Sequence, residues 1–238
     1  MANARVSTGI EKLDELIGGG LIKERSYLIA GEPGTGKTLF SIQYILEGIK
    51  KGENGIYVSI DEKPEHVIED AKAMGWDIEA EMKKEKMQIL DVTSYFSKAK
   101  GGKQEIIDVD QIAGDLTRYV KKIGAKRLVI DPIAPLVSTL DDISEIRNYI
   151  KQLIFSLEEK TGCTILLTSH VPVGTARLSQ YDIEEFVVSG IFLLRLVKPE
   201  KKYVRTLFVR KMRGTATDLS EYTFDIVKEK GLVLRQAL

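Results

Sequence analysis

The stretch Gly31-Glu32-Pro33-Gly34-Thr35-Gly36-Lys37-Thr38 decides how the rest of this 238-residue chain is interpreted. It fits the phosphate-binding pattern G-x-x-x-x-G-K-[ST], in which glycines let successive backbone N–H groups turn inward around phosphate oxygens. Lys37 is then expected to reach the β- and γ-phosphates of a nucleotide, and the Thr38 hydroxyl is expected to bind Mg²⁺. The alternative is a glycine-rich turn without a ligand, but such a turn has no need of Lys-Thr after its last glycine. Residues 31–38 are called the phosphate loop below.

The sequence on both sides supplies the strand and the helix that this pattern requires. Residues 26–30 are mostly apolar, which is typical of a short buried strand. From Leu39 to Leu46 apolar residues recur at helical spacing, with Gly48 near the predicted end of the helix. The positive end of that helix dipole favours bound phosphate. The residues of this region predicted to contact a nucleotide are Gly34, Thr35, Gly36, Lys37, Thr38 and Leu39.

Length and composition exclude several classes of protein. The 238 residues are enough to bury a sizeable core, and we expect residues 1–238 to form one domain. Lysine plus arginine and aspartate plus glutamate both total 35, which argues against a surface built mainly for nucleic acid but leaves room for a local basic patch. The single cysteine, Cys163, excludes an internal disulfide and gives no metal cluster. Because neither a membrane span of roughly 20 apolar residues nor a signal-peptide pattern is present, we expect a cytoplasmic protein.

Two further predicted strands end in carboxylates. Residues 55–60 are followed by Asp61 and Glu62, and the apolar strand 126–131 ends in Asp131. Because strand carboxyl ends face the ligand in open α/β sheets, these side chains are expected beside the phosphates. There Asp61 or Glu62 can orient or deprotonate a water, and Asp131 can hold Mg²⁺ through its water shell. The alternatives are an acid pair that caps the following helix, and a buried strand that ends in Asp without a metal.

Other segments leave more than one interpretation open. The predicted strand 163–170 ends in Thr168, Ser169 and His170; a γ-phosphate sensor and a structural role are equally compatible with His170. The irregular stretches 93–108 and 171–187 are either surface loops or contacts for single-stranded nucleic acid. Helices are predicted over 64–75, 110–122 and 144–159, and antiparallel hairpins over 191–209 and 222–235.

Together these motifs resemble those of single-domain KaiC-like ATPases in the RecA superfamily, over nearly the whole chain. Besides the phosphate loop and its helix, the matching segments are Ser7-Thr8-Gly9 through Gly18-Gly19-Gly20-Leu21, Ser59-Ile60-Asp61-Glu62-Lys63-Pro64, Met74-Gly75-Trp76-Asp77, Leu128–Asp131, Ile183-Glu184-Glu185-Phe186-Val187 and Lys211-Met212-Arg213-Gly214-Thr215. The resemblance implies a RecA-like α/β fold, in which helices flank a twisted, mostly parallel sheet. The antiparallel hairpins would follow at the C-terminus.

The resemblance also implies a homo-oligomeric ring, usually of six subunits, with ATP and Mg²⁺ bound between neighbours. Lys211 and Arg213 would reach from the adjacent subunit toward the γ-phosphate, with Thr215 close by. Alternate strand positions place both cations on the same face, and a cation supplied by a neighbour makes hydrolysis depend on assembly. Without the resemblance, these two residues are equally well explained as solvated surface cations.

The family's paired catalytic glutamates fall on Asp61 and Glu62, and the shorter aspartate favours Glu62 as the water-activating base with Asp61 assisting. Lys37 completes the predicted catalytic set. The positions that the clock member phosphorylates on itself align with Glu185 and Phe186, which accept no phosphate, so autokinase activity is not expected. His170 departs from the family, whose residue there is often acidic.

These observations leave three hypotheses for function. The leading one is a slow, assembly-dependent ATPase that acts as a regulatory or scaffold switch on an unidentified protein partner. The second is a recombinase-like motor stimulated by nucleic acid, against which the neutral net charge weighs. The third is a nucleotide-binding scaffold with negligible turnover.

Overall fold

Strands and helices alternate along most of the chain, and antiparallel strands close it. The computed structural model describes residues 4–92, 108–137, 140, 142–172, 179–180, 184–199 and 201–238. The strands are β1 (Arg5–Val6), β2 (Leu21–Ile22), β3 (Ser26–Gly31), β4 (Asn54–Ser59), β5 (Met87–Asp91), β6 (Ala125–Asp131), β7 (Thr164–His170), β8 (Gly190–Val197), β9 (Val204–Met212), β10 (Glu221–Val227) and β11 (Gly231–Ala237). The helices are α1 (Glu11–Leu16), α2 (Lys37–Lys50), α3 (Pro64–Ala73), α4 (Ile78–Lys83), α5 (Val109–Ile123), α6 (Ile143–Thr161) and α7 (Glu184–Val187).

One large sheet organises the described part of the chain. Its nine strands lie in the order β11-β10-β9-β8-β3-β7-β6-β4-β5. The six strands from β8 to β5 run parallel, and β9, β10 and β11 continue the sheet as antiparallel strands. The predicted α/β class, with a mostly parallel sheet and antiparallel C-terminal strands, is therefore confirmed.

Apolar side chains cover both faces of this sheet. On one face, α5 and α6 contribute residues such as Leu116 and Leu153 to the core. On the other face, α2 contributes residues such as Phe40 and Ile45. All six residues of β3 are buried, as expected for a central parallel strand that helices cover on both sides. The carboxyl ends of β3, β4, β6 and β7 consequently meet at one edge of the sheet.

Helix α2 has Gly48 near its end, as the sequence predicted. It runs to Lys50, and Gly48 lies inside it because the buried Arg127 side chain packs there: a Cβ at position 48 would lie 2.3 Å from Arg127 Nε. Arg127 is fully buried, pairs with Glu53 at 2.8 Å, and donates hydrogen bonds to the carbonyls of Ser7 (2.8 Å) and Tyr44 (2.7 Å). Gly48 therefore makes room for a long-range contact and does not end the helix.

The segment before β3 contains a small sheet that the sequence patterns did not predict. β1 and β2 pair as antiparallel strands of two residues each. Gly20, which precedes β2, has a φ of 112°, and a Cβ at this position would lie 2.2 Å from the Val6 carbonyl oxygen. Only glycine therefore allows the two backbones to approach this closely.

Candidate functional site

The candidate site is a cleft of about 480 Å³ at the edge where the parallel strands end. The phosphate loop forms one wall, because β3 leads directly into it and α2 directly follows it. Side chains at or near the carboxyl ends of the neighbouring parallel strands form a second part of the lining, which includes Tyr57, Ser59, Asp61, Glu62, Asp131 and His170. The structure thus brings together the residues that the sequence placed at three separate strand ends.

The phosphate loop has the backbone conformation that its glycines allow. Gly34 and Gly36 adopt φ values of 77° and 104°, which side chains disfavour. The Thr35 hydroxyl donates to the Glu32 carbonyl at 2.8 Å and closes the loop on itself. The loop is therefore held by its own groups ahead of the first turn of α2.

Lys37 is almost buried, with 9% of its surface exposed. Its amine donates to the carbonyls of Gly31 at 2.8 Å and Glu32 at 3.0 Å. Burial lowers the pKa of the Lys37 amine, an effect that the nearby Asp131 carboxylate opposes. The ammonium group therefore lies at the loop and beside the cleft, where a phosphate oxygen can replace one carbonyl as its partner.

Asp131 accepts hydrogen bonds from three side-chain hydroxyl groups. Thr38 Oγ1 donates to Asp131 Oδ2 at 3.0 Å, and the Tyr57 hydroxyl donates to the same oxygen. Thr168 Oγ1 donates to Oδ1. Burial, and then the Asp131 charge, raise the pKa of Tyr57, so the phenol remains a donor. The Thr38 hydroxyl and the Asp131 carboxylate are hard oxygen ligands of the kind that Mg²⁺ prefers, and they lie side by side.

Asp61 and Glu62 follow β4 in a turn that Ser59 supports, because Ser59 Oγ donates to the Glu62 carbonyl at 2.6 Å. Both acids line the cleft. Burial, together with repulsion from Asp131, raises the pKa of Asp61. Burial, together with repulsion from Asp70 and Asp131, raises the pKa of Glu62. Carboxylates with raised pKa values are stronger bases than free ones, which suits proton abstraction from water.

His170 ends β7 and lies beside Gly31 in the strand register, so its side chain also lines the cleft. Burial and the Lys37 cation lower the pKa of the His170 imidazole, and the negative charges of Asp61 and Asp131 partly offset this by raising it. A lowered pKa favours the neutral imidazole at pH 7. The position is compatible with a sensing role, which stays a hypothesis.

The cations predicted to reach the γ-phosphate lie far from the cleft of their own chain. Lys211 pairs with Ile191 of β8, which in turn pairs with Leu28, three residues before Gly31 in β3. A strand rises about 3.3 Å per residue, and neighbouring strands lie about 4.8 Å apart. Lys211 therefore lies about 10 Å from Gly31 along the strand direction, toward the start of β3, and two strands away across the sheet. A single chain therefore does not bring Lys211 to its own phosphate loop.

Arg213 and Thr215 lie further toward the same distant edge. β9 ends at Met212, so Arg213 lies in the following turn, where its backbone N–H donates to the Ser189 carbonyl at 2.8 Å. Side chains alternate between the two faces only within a strand. Because Arg213 lies after the end of β9, alternation does not place its side chain on the same face as that of Lys211. The Thr215 hydroxyl accepts a hydrogen bond from Arg5 at 2.8 Å.

β9 and β10 bring to the phosphate loop two residues that the sequence did not predict there. Arg205 Nε donates to the Gly34 carbonyl at 3.2 Å. The Ile226 side chain lies against Gly36, where an added Cβ would be 3.3 Å from Ile226 Cδ1. Both side chains line the cleft. Neither belongs to a motif, so they are found only from the antiparallel extension of the sheet through β9 and β10.

Several predictions fall outside the described residues. The proposed strand-binding loops are in this group, since residues 93–107, 173–178 and 181–183 are not described. Of the pair aligned with the autophosphorylation positions, Glu185 lies in α7 and Phe186 is 65% exposed.

Among the described residues, no group of three or more His, Cys, Asp or Glu side chains is arranged to hold a metal. In the same residues, no helix has the length and apolar character needed to cross a membrane.

Comparison with known proteins gives consistent matches. A model of the family described as "ATPase: KaiC" matches residues 6–237. The circadian clock protein KaiC3 of Synechocystis is 31% identical over 234 residues, which cover 97% of this chain and 45% of that protein. A UPF0273 protein of Thermotoga maritima is 36% identical over 238 residues, which cover 97% of this chain and 95% of that protein.

A solved structure matches at full length. The crystal structure of a KaiC-like protein from the hyperthermophilic archaeon Pyrococcus horikoshii has a TM-score of 0.84 and 34% identity, covering 99% of this chain and 100% of that one. The chain thus spans about half the length of the clock protein and nearly all of the other two.

Proposed function

The chain belongs to the KaiC ATPase family, and from this membership we propose that it is an ATP-binding, Mg²⁺-dependent ATPase with slow turnover. The same membership and the structural likeness confirm the RecA-like fold. We treat residues 1–238 as one ATPase domain. The proposal rests on one observation: the phosphate loop, Asp131 and Glu62 line one cleft, whereas the cations Lys211 and Arg213 lie at the far edge of the sheet.

The binding part of the proposal assigns the phosphates to the loop. Backbone N–H groups of residues 34–39 would hold the phosphate oxygens at the start of α2, with the Lys37 ammonium beside them. The Thr38 hydroxyl and the Asp131 carboxylate would hold Mg²⁺, which supplies positive charge that neutralises the phosphates. Ile226 would offer apolar surface next to the loop.

The hydrolytic part of the proposal assigns proton abstraction to Glu62. Its carboxylate lines the cleft and its raised pKa makes it a stronger base than a free glutamate. Asp61, one methylene shorter, would orient the same water. Positive charge from Lys37 would stabilise the negative charge that develops on the phosphate oxygens.

The assembly part of the proposal explains the distant cations. The cleft contributes Asp61, Glu62 and Asp131, whereas the far edge of the sheet presents Lys211 and Arg213, so the two ends are complementary in charge. A head-to-tail contact would bring the far edge of one copy to the cleft of the next, and repeated rotation closes such contacts into a ring. We propose a ring of six in the cytoplasm, in which ATP joins neighbours and hydrolysis loosens them to switch a protein partner.

Mixing two inactive variants tests this arrangement. Arg213→Ala copies keep an intact cleft but lack the donated cation, whereas Glu62→Gln copies keep the cation but lack the base. In a one-to-one mixture about a quarter of the contacts would combine both intact halves, so we expect phosphate release to recover to about that fraction.

The matched control replaces Arg210, an exposed arginine of β9 three residues before Arg213. Arg210→Ala should leave turnover within about twofold of the parent, since surface cations contribute little. Mixtures of Arg213→Ala and Glu62→Gln that stay as inactive as the separate variants would refute the shared site.

A further inference from the structure

Tyr57 brings a hydroxyl group to the cleft from within the sheet. In the register of β4 and β6, Ser59 lies beside Asp131, so Tyr57 lies two residues earlier on the same face. Its side chain is 1% exposed and packs in the apolar cluster that α2 covers. A phenylalanine would fill that volume equally well. The contact that distinguishes tyrosine here is the hydrogen bond from its hydroxyl to Asp131 Oδ2.

The Asp131 carboxylate is held through both of its oxygens. Thr168 donates to Oδ1, while Tyr57 and Thr38 donate to Oδ2. The terminal torsion of aspartate is broad, so an unsupported carboxylate rotates, whereas donors on both oxygens fix its plane. Thr38 is itself a proposed Mg²⁺ ligand, whereas Tyr57 is not, although its hydroxyl also lies within hydrogen-bonding reach of Thr38. Its hydroxyl is therefore the donor whose removal changes the support and leaves both proposed ligands in place.

From this geometry we infer that Tyr57 is a positioning residue, whose hydroxyl holds the Asp131 carboxylate in the orientation that Mg²⁺ binding requires. This inference rests on the proposed function, because it concerns the metal that accompanies the nucleotide. Partners that orient a metal ligand commonly change metal affinity by about 10- to 100-fold when they are removed. Tyr57→Phe should therefore weaken the coupling between metal and nucleotide, and leave nucleotide binding without metal unchanged.

The test measures binding of a fluorescent ATP analogue to the full chain in excess EDTA and in excess Mg²⁺. The ratio of the two dissociation constants reports how much the metal tightens nucleotide binding. For Tyr57→Phe we expect the dissociation constant in EDTA to stay within about twofold of the parent, and the ratio to fall about tenfold. Thr168→Val removes the donor to the other carboxylate oxygen and should lower the ratio in the same way.

Two tyrosines elsewhere in the core provide matched controls. The hydroxyl groups of Tyr27 and Tyr44 donate to the backbone carbonyls of Ile22 (2.9 Å) and Thr164 (3.0 Å). Tyr27→Phe and Tyr44→Phe each lose a buried tyrosine hydrogen bond that does not involve Asp131, and should keep the parental ratio. Thermal unfolding of every variant separates loss of coupling from loss of fold.

The outcomes distinguish this inference from the proposed function. A parental ratio in Tyr57→Phe, or an equal loss of binding in EDTA and in Mg²⁺, overturns the positioning role alone. If Tyr57→Phe does not fold, a parental ratio in Thr168→Val overturns it. A parental protein whose nucleotide binding Mg²⁺ does not tighten overturns the proposed metal site and this inference with it.

Discussion

Replacing Lys37 with methionine should separate nucleotide binding from folding. In the nucleotide complex the Lys37 ammonium would exchange a carbonyl partner for a phosphate oxygen, and hydrogen bonds to charged groups contribute about 1.5–3 kcal/mol. Losing one such bond weakens nucleotide binding by about 10- to 150-fold, since 1.4 kcal/mol is a factor of ten.

The same substitution should cost little stability in the absence of nucleotide. The carbonyl of Gly31 also accepts the Val171 N–H at 3.1 Å, and that of Glu32 also accepts the Thr35 hydroxyl at 2.8 Å, so both keep a partner without Lys37. Methionine fills a similar volume and removes a cation that is costly to bury. We expect the free energy of unfolding in urea to change by less than about 1 kcal/mol.

Calorimetric titration with ATP and Mg²⁺, paired with urea unfolding, checks both expectations. The control is Lys50→Met at the exposed end of the same helix, which should bind ATP as the parent does. Parental affinity in Lys37→Met would refute the assignment of the phosphate loop. Weak binding together with a loss of several kcal/mol of stability would instead show that Lys37 stabilises the folded state.

Three further predictions concern stability and pH. Arg127→Met removes a fully buried cation from its partners, so we expect the free energy of unfolding in urea to fall by about 3–5 kcal/mol. The control Arg118→Met, at an exposed ion pair, should lower it by less than ~1 kcal/mol, and equal losses in the two variants would contradict this expectation. Gly48→Ala should destabilise the protein in the same assay, because its Cβ would lie 2.3 Å from Arg127 Nε, and parental stability would show that the arginine can shift freely. Burial and like-charged neighbours raise the pKa of Glu62, so the folded state binds more protons than the unfolded state between the ordinary value of 4.5 and the raised one. Glu62→Gln should therefore be more stable than the parent at pH 8, and a difference that grows instead of closing toward pH 4 would contradict this sign.

Much of the fold could be predicted because its determinants are local in sequence. The phosphate loop combines a strand, glycines and a helix within residues 26–50, so the pattern that predicts it is local in sequence. The carboxylates of the cleft lie at the ends of two apolar strands, Asp61 and Glu62 after β4 and Asp131 at the end of β6, and parallel pairing brings those ends together. Asp61, Glu62 and Asp131 could therefore be placed at one edge of the sheet from the sequence.

The remainder depends on contacts between distant segments. Gly48 accommodates Arg127, which is 79 residues later in the chain, and nothing near Gly48 in the sequence indicates this contact. Arg205 and Ile226 reach the phosphate loop only because β9 and β10 extend the sheet beyond β8. The Tyr57 hydroxyl had a signal in the sequence, since a tyrosine two residues before a strand end shares a face with that end. The identity of its partner, Asp131 of β6, could be seen only from the register in which β4 and β6 pair.

The central claim is that a nucleotide held by the phosphate loop of one copy is completed by cations from the next copy. Its most direct test is the mass of the protein in solution with and without ATP and Mg²⁺, measured together with phosphate release. We predict that ATP and Mg²⁺ shift the protein to about six times the mass of one chain, with phosphate release confined to that species and lost in Arg213→Ala. A protein that keeps the mass of one chain in ATP and Mg²⁺ and still releases phosphate at its full rate would contradict the claim.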